Sequence, residues 1–446
     1  MKNGRRLLAF AACLVFLAVV LFAARNSVIR LFAAVAIARL HIFTPPQLLP
    51  GESGAHRIWN ECRFYWDFAE IREARERRLK RFEPQLKSLV EEIKRRQKAG
   101  EGMQYSMHIY REVRWRLNFT PDVGATERRI VDLRESLNQP EAQKLASEQQ
   151  EADGSWGRGI DAWYLKLYYS VEDGLDRKDP EVKYPLRFLD PINSPEKLVA
   201  QLDRARFDDF TRTGVFNREE LDETFSAIAR LLFRIKNVPY GFDSRLGPAL
   251  RAYVNQWQNP DTGFWGQWLV DREGRVWKMD DMAMTFHVVS DLNGQVNHLD
   301  RIAKRTLQLD KVNFPAGIRF DGRYENHLNW DVVKIFRLAW PYLDEPTRTQ
   351  ARAEIAKMVD WCLNESYQRD GSFKVSDLDD TAGDAYMYGV AFLKDAGYFR
   401  RDERFWTSQD FPEARTIHDR IEARLKTIGT SDPSMRSAYE ILQALD

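Results

Sequence analysis

Cysteine is nearly absent: the 446 residues hold three, Cys13, Cys62 and Cys362. Cys13 falls in an apolar run, so the rest of the chain has two thiols. They suffice for one bridge and exclude a disulfide framework or a cysteine-based zinc cluster. A charge of one sign is also missing. Lys and Arg number 67 against 66 Asp and Glu, a formal charge of +1, which gives no support for a nucleic-acid partner. At 44% hydrophobic residues the chain is not a disordered one. It has no phosphate-binding glycine loop, no serine nucleophile elbow and no dinucleotide fingerprint, and no strand pattern competes in length with the helical ones. No cofactor and no metal is expected. A zinc site of Asp, Cys and His is disfavoured because Cys362 falls on an expected outer helix.

One long apolar run is present. Residues 7–24 (LLAFAACLVFLAVVLFAA) carry no charge and follow Lys2, Arg5 and Arg6. Eighteen such residues suffice to cross a bilayer and exceed the apolar region of a signal peptide, so a single-pass anchor is expected. An uncleaved signal anchor places the soluble body outside the cytoplasm, in a periplasmic setting. Residues 31–43 are too short to span and are expected at the membrane surface or as a continuation of the helix. Residues 1–50 thus read as anchor and juxtamembrane segment. Residues 51–125 read as a charged helical stalk or outer helices, interrupted at Pro84.

From about residue 126 to 446 the pattern repeats. Short glycine turns bearing an aromatic recur: Asp153-Gly-Ser-Trp156, Thr213-Gly-Val-Phe216, Thr262-Gly-Phe-Trp265, Ala316-Gly-Ile-Arg-Phe320 and Asp370-Gly-Ser-Phe373, the aromatics 60, 49, 55 and 53 residues apart. Each follows a helical segment, such as 244–258 or 345–368. Each precedes a more apolar one: 161–170, 219–233, 280–292, 325–340 and 379–394. A sixth pair, 413–428 and 434–445, lacks the aromatic turn. Units of two helices cannot bury their apolar faces alone, so they must stack or close. Six hairpins suit an all-α, (α/α)6 toroid with the second, more apolar helices inside.

The turns E-Q-Q-E-A-D-G-S-W-G (148–157), Q-N-P-D-T-G-F-W-G (258–266) and Q-R-D-G-S-F (368–373) resemble the Q-x-x-D-G-x-W repeat of the terpene cyclase and protein prenyltransferase α/α-toroid superfamily. The resemblance covers residues 145–445. Glycan-active six-hairpin barrels are built the same way, so the architecture leaves the chemistry open. The segment S-D-L-D-D-T-A (376–382) is similar to the D-x-D-D-T-A acid motif of class II terpene cyclases. That likeness implies Asp379 as the acid that protonates an alkene or epoxide, with Asp377 and Asp380 tuning it. K-M-D-D-M-A (278–283) is a partial second copy and adds Asp280 and Asp281.

The expected second helices share acidic starts, among them Glu219, Glu220, Asp222 and Glu223, which gathers carboxylates at one mouth. Capping of free backbone N–H groups explains any one of them equally well. Asn326, His327, Asn329, Trp330 and Asp331 form another polar group, with His287 on a neighbouring helix. Asp280, His287, Asn326, His327, Asn329, Trp330, Trp265 and Tyr386 are expected to line a substrate cavity, and Asp379, Asp377, Asp380 and Asp281 to carry catalysis. Three readings follow: an acid-initiated cyclase-like enzyme on an isoprenoid or other apolar substrate; a lyase or glycoside hydrolase on an extracytoplasmic polysaccharide; and a non-catalytic binding toroid at the membrane.

Overall fold

The computed structural model describes residues 43–44, 61–98, 103–120, 122–139, 150–157, 160–176, 180–208, 217–270, 276–376, 378–379, 381–429 and 432–445. The run 7–24 expected as an anchor lies outside them. Among the described residues no helix is long and apolar enough to cross a membrane. The chain is mostly helical, as expected.

Among the described residues, three helices precede the repeats. α1 (Glu61–Lys98) runs unbroken through Pro84, correcting the interruption expected there. α2 (Gln104–Phe119) and α3 (Val123–Ser136) pack against it. Phe82, Leu89 and Ile93 of α1 meet Met107, Val113 and Leu117 of α2 and Ile130 and Leu133 of α3, so the thin apolar stripe of the charged segment serves a small core of its own. That core continues past the boundary expected at residue 125.

The repeats follow as helix pairs. The second helices are α4 (Trp163–Ser170), α6 (Arg218–Phe233), α8 (Met282–Asp291), α10 (Asn326–Ala339), α12 (Ala382–Asp395) and α14 (Pro433–Gln443). They pack on one another in that order. The first helices, α5 (Pro195–Arg206), α7 (Leu246–Trp257), α9 (Leu299–Gln308), α11 (Glu345–Trp361) and α13 (Ala414–Ile428), flank them. Composition dictates the layering: α8 buries nine of its ten residues, whereas α11 buries six of seventeen and turns most of its charges, Glu354 excepted, to solvent. In the first unit α2 takes the flanking place. Its Trp115 meets Tyr164 edge-on, Arg111 lies over the Tyr169 ring, and Glu112 accepts the Asp161 N–H at 2.8 Å.

The three glutamine turns share one construction. Gln150 donates to the Gly154 carbonyl and Gln258 to that of Gly263, while Gln368 ties its own turn through the carbonyls of Ser366 and Tyr367. Gly154, Gly263 and Gly371 have φ of 84°, 76° and 87°, open to glycine and strained for other residues. The aromatics drop into the core, and the N–H of Trp156 and of Trp265 is taken by a hydroxyl of the following helix, Ser170 or Thr285. The fourth unit differs: Ile318 fills the core, and Phe320 stays in a surface turn paired with Arg323. Phe216 lies outside the described residues.

A Cβ on Gly154 would stand 2.2 Å from the Pro185 carbonyl oxygen. Gly154→Ala therefore combines a clash with a disfavoured φ and is expected to cost about 2 kcal/mol. A thermal melt within about 1 °C of the parent would contradict this.

Strands, not expected from the sequence, are present. β1 (Phe43–Thr44), β2 (Phe207–Asp208), β3 (Trp268–Val270) and β4 (Val276–Met279) form one sheet in the order β1-β4-β3-β2. β1 and β3 run antiparallel to β4, and β2 runs parallel to β3. Runs of two to four residues are too short for periodicity to reveal. β1 also corrects the end of the segment read as membrane-surface helix. Two helix bounds move as well. α12 begins at Ala382, because Thr381 and Asp384 form a capping box, so Asp379 precedes the helix. The helix expected over 345–368 ends as α-helix at Trp361 and passes into a π-turn, Cys362–Ser366. Cys362 there is buried and free.

Candidate active site

Arg218 opens α6 in the core and is held by carboxylates. Its Nε and Nη2 donate to the two oxygens of Asp281 at 2.5 and 3.0 Å, and Nη2 reaches Asp222 at 3.3 Å. Asp281 in turn caps α8 by accepting the Met284 N–H at 3.0 Å. The second copy of the aspartate motif thus fastens α6 to α8. The other oxygen of Asp222 accepts a 2.7 Å hydrogen bond from Nδ1 of His287, the one residue of α8 that is not buried. Burial opposes the charge on His287, but Asp222, with Glu223 and Asp291 behind it, prevails and lifts the imidazole pKa to about 10. Burial likewise opposes ionisation of Asp222, and His287 and Arg218 hold it below the ordinary range. Two cations and two carboxylates close on each other as a neutral quartet.

Beside the quartet stand carboxyls without such compensation. Glu219 and Glu223 lie one turn apart on α6. Burial raises both, against the pull of Arg218 and Arg114 on Glu219; for Glu223 the neighbouring Asp222 and Glu219 push further in the same direction. Glu223 Oε2 has no hydrogen-bond partner. Asp331 on α10 is 2% exposed, and its Oδ1 is likewise unpartnered. Burial drives its pKa well up, with the His287 charge pulling the other way.

Aromatic rings complete the surroundings. His327, one turn before Asp331, stacks on Tyr388 of α12 with ring centres 3.9 Å apart and planes at 5°. Burial and the charge on His287 lower its pKa to about 3, leaving it neutral. Trp330 lies 5.9 Å from the Tyr388 ring and donates to Asp395 at 2.8 Å. Burial first, then the carboxylates of Asp384, Glu172, Asp331 and Asp379, keep the Tyr388 phenol protonated. Glu172 follows α4, and Tyr168 of α4 has Glu172, Glu223 and Tyr388 in its own field. Groups from α4, α6, α8, α10 and α12 therefore share one electrostatic neighbourhood. Glu223, His287, His327, Tyr168 and Tyr388 are half-buried, so solvent reaches it.

A second acid stands at the N-terminal side of α12. Asp379 accepts the Ser376 N–H at 2.7 Å through Oδ2, while Oδ1 has no partner. Burial, then repulsion from Glu325, raises it to about 7. Glu325 caps α10 by accepting the His327 N–H at 2.7 Å. Asp377 and Asp380 lie outside the described residues.

The other expected residues are placed in the scaffold. Asp280 is paired with Arg305 at 2.9 Å and accepts from Thr262. Trp265 fills the core, its indole N–H donating to the Val254 carbonyl. Tyr386 is buried edge-on to Phe373. Asn326 is buried and donates to the Ser366 hydroxyl at 2.9 Å, and Asn329, one turn on, is fully buried with both side-chain polar atoms unpartnered. Of the eight residues expected to line a cavity, His287, His327 and Trp330 come together. Arg218, Tyr168, Glu172 and Tyr388 were not foreseen. For Tyr168, Tyr388 and Arg218 the signal was spacing: Tyr164 and Tyr168, Arg218 and Asp222, Asp384 and Tyr388 each stand four apart, on one face of a second helix.

A groove of about 1120 Å³ lies elsewhere, lined by residues of α11, α13 and their connections such as Tyr367, Lys374 and Trp406, and none of the ionisable groups above borders it. Among the described residues no group of His, Cys, Asp and Glu is arranged to hold a metal ion. Comparison with protein-family models, with curated proteins and with solved structures finds no match to this chain.

Proposed function

We propose that the six helix pairs close into a toroid whose polar interior hydrolyses a glycan, with Glu223 as the proton donor and Asp331 as the second carboxyl. The observation that carries this reading is a pair of carboxyls, each with an unpartnered buried oxygen, that both feel the charge of the protonated His287. A polyhydroxylated substrate supplies the hydrogen-bond partners those atoms lack, whereas an apolar polyene would leave them unpaired at a cost of about 1–3 kcal/mol each. The two carboxyls divide the work by their surroundings. Burial raises both; Asp222 and Glu219 push Glu223 further up, whereas the largest influence on Asp331 after burial is the charge of His287, which opposes the rise, so Glu223 is the one to hold its proton as the acid and Asp331 the one to give it up and serve as the base. In the reaction Glu223 gives its proton to the glycosidic oxygen as the C–O bond breaks. Asp331 takes a proton from the water whose oxygen bonds to the anomeric carbon. A lyase acting on a uronate is a poorer fit, because its carboxylate substrate would enter a site already crowded with carboxyls. We place the body outside the cytoplasm, tethered by residues 7–24.

Glu223→Gln and Asp331→Asn keep shape and remove the transferable proton or the base. Each is expected to lower hydrolysis of a responsive polysaccharide by about 10²–10⁴-fold while the melting temperature holds or rises. Full activity in either variant sinks the assignment. Asp379, held protonated up to about pH 7, keeps the acid-initiated reading on an apolar substrate as the second one.

A further inference from the structure

We propose that the groove between α11 and α13 is a docking site for an extended acidic segment of another protein, its carboxylates on Arg369, Lys374 and Arg420 and its apolar side chains on the floor between the helices. The proposal is independent of the glycan reading, since the groove borders none of the groups assigned to that chemistry. Its volume of about 1120 Å³ exceeds the ~300–1,000 Å³ of an ordinary small-molecule pocket, which suits a chain of several residues. Val359 of α11, Leu363 of the π-turn, Phe411 and Ile417 of α13 give it an apolar lining, and the three cations border the same space.

These cations are marked out by their lack of partners. On α11, Arg348 and Arg352 pair with Glu345, and Lys357 with Glu354; on α13, Arg415 pairs with Asp419, Arg424 with Asp370 and Lys426 with Glu422. Arg420 is the exception on these helices, and it borders the groove. Arg369 and Lys374, in the connection from α11 to α12, likewise form no ion pair among the described residues. The Tyr367 hydroxyl, in the same lining, is buried without a hydrogen-bond partner of good geometry and lies in the field of Arg420. Two carboxylates border the groove as well: Asp360 accepts from Asn364 at 2.8 Å, and Glu413 from the Tyr398 hydroxyl at 3.1 Å. Their presence selects the class of ligand. An anionic bilayer or a polyanionic strand brings negative charge along its whole length and is repelled by Asp360 and Glu413. A peptide brings backbone N–H donors for them together with side-chain carboxylates for the cations. An extended backbone does this, because a helix engages its N–H groups internally, and its side chains alternate, acids to the cations and apolar groups to the floor.

The test is selection of random dodecapeptides displayed on phage against the full-length chain in neutral detergent, the enriched sequences then being titrated as free labelled peptides by fluorescence anisotropy. Asp or Glu alternating with apolar residues is expected among them. The double variant Lys374→Glu, Arg420→Glu is expected to bind such a peptide at least about 10-fold more weakly, as is the parent when the peptide's acids are replaced by amides, and salt is expected to weaken binding to the parent. Thr416→Trp, which fills the groove without changing its charge, is expected to have an effect of the same size. Lys374, Thr416 and Arg420 are exposed, so these variants are expected to melt within about 1 °C of the parent. Should the charge reversal prevent folding, Arg369→Gln with Lys374→Gln takes its place. Enrichment of no sequence, or of sequences without acids, overturns the proposal. So does acid-dependent binding that survives Thr416→Trp, because the peptide then sits on another face. Charge-dependent retention of phosphatidylglycerol over phosphatidylcholine from mixed micelles, with no peptide selected, assigns the groove to an anionic lipid surface and overturns it too.

Discussion

Arg218→Met is expected to be the most damaging single change in the chain. The guanidinium spans Asp281, at 2.5 and 3.0 Å, and Asp222, at 3.3 Å, in a place where neither carboxylate meets water. Methionine fills comparable volume and removes the charge. Asp222 keeps His287, but Asp281, which burial already raises, loses the guanidinium that opposes the rise and is left buried without a counter-charge while still capping α8. Breaking a buried pair in this way costs about 3–5 kcal/mol, roughly 4–6 °C in melting temperature for a body of this size. The double variant Arg218→Met, Asp281→Asn separates charge from packing. Asparagine still caps the helix through its oxygen, and no uncompensated charge remains, so the double variant is expected to be more stable than the single one. Additive losses, or a single-variant loss under about 1 kcal/mol, would show that the bridge does not hold α6 to α8. Arg218→Lys is expected to rescue little, since a point-like ammonium cannot fork onto two carboxylates.

The same quartet shows where reading the sequence succeeds and where it stops. The helix pairs were legible because glycine turns and aromatics repeat at a regular interval, and because MAMTFHVV or VVKIFRLAW are apolar over most of their circumference. The acidic starts of the second helices were legible too, but not what each carboxyl would meet. Asp281 and Asp280 look alike in K-M-D-D-M-A; one faces Arg218 from 63 residues away, and the other faces Arg305 from 25 residues on. No local pattern announces such pairings. Trp265 and Tyr386 were expected at a cavity from their chemistry, yet the turn geometry sends Trp265 under its own loop and Tyr386 against Phe373. Tyr388, two residues beyond Tyr386, lands on the other face and meets His327. The helical phase that decides between those tyrosines was present in the sequence. It became usable only once Thr381 and Asp384 were known to cap the helix, because the capping box fixes where α12 starts.

Asp379→Asn is expected to stabilise the protein at alkaline pH and to do nothing at acid pH. In the folded chain Asp379 is 6% exposed and faces Glu325, and the two effects, burial first, raise its pKa from 3.8 to about 7. A carboxyl whose folded pKa lies above its unfolded value binds its proton more tightly when folded. That contribution to stability is complete below about pH 3.8 and is lost as pH rises through about 7, where the native state must hold a buried charge. The shift, at ~1.4 kcal/mol per unit, corresponds to a ceiling of about 4 kcal/mol, part of which belongs to Glu325 as the other member of the pair. Asparagine is neutral at every pH and places a donor where the repulsion was. Melting curves of parent and variant should therefore nearly coincide at about pH 4 and separate in favour of the variant at about pH 8. Coincidence at both would mean that Asp379 is ionised and well solvated in the native state. The same variant separates the two chemistries: hydrolysis through Glu223 and Asp331 survives it, whereas an enzyme that starts its reaction from the Asp379 proton becomes more stable and inactive.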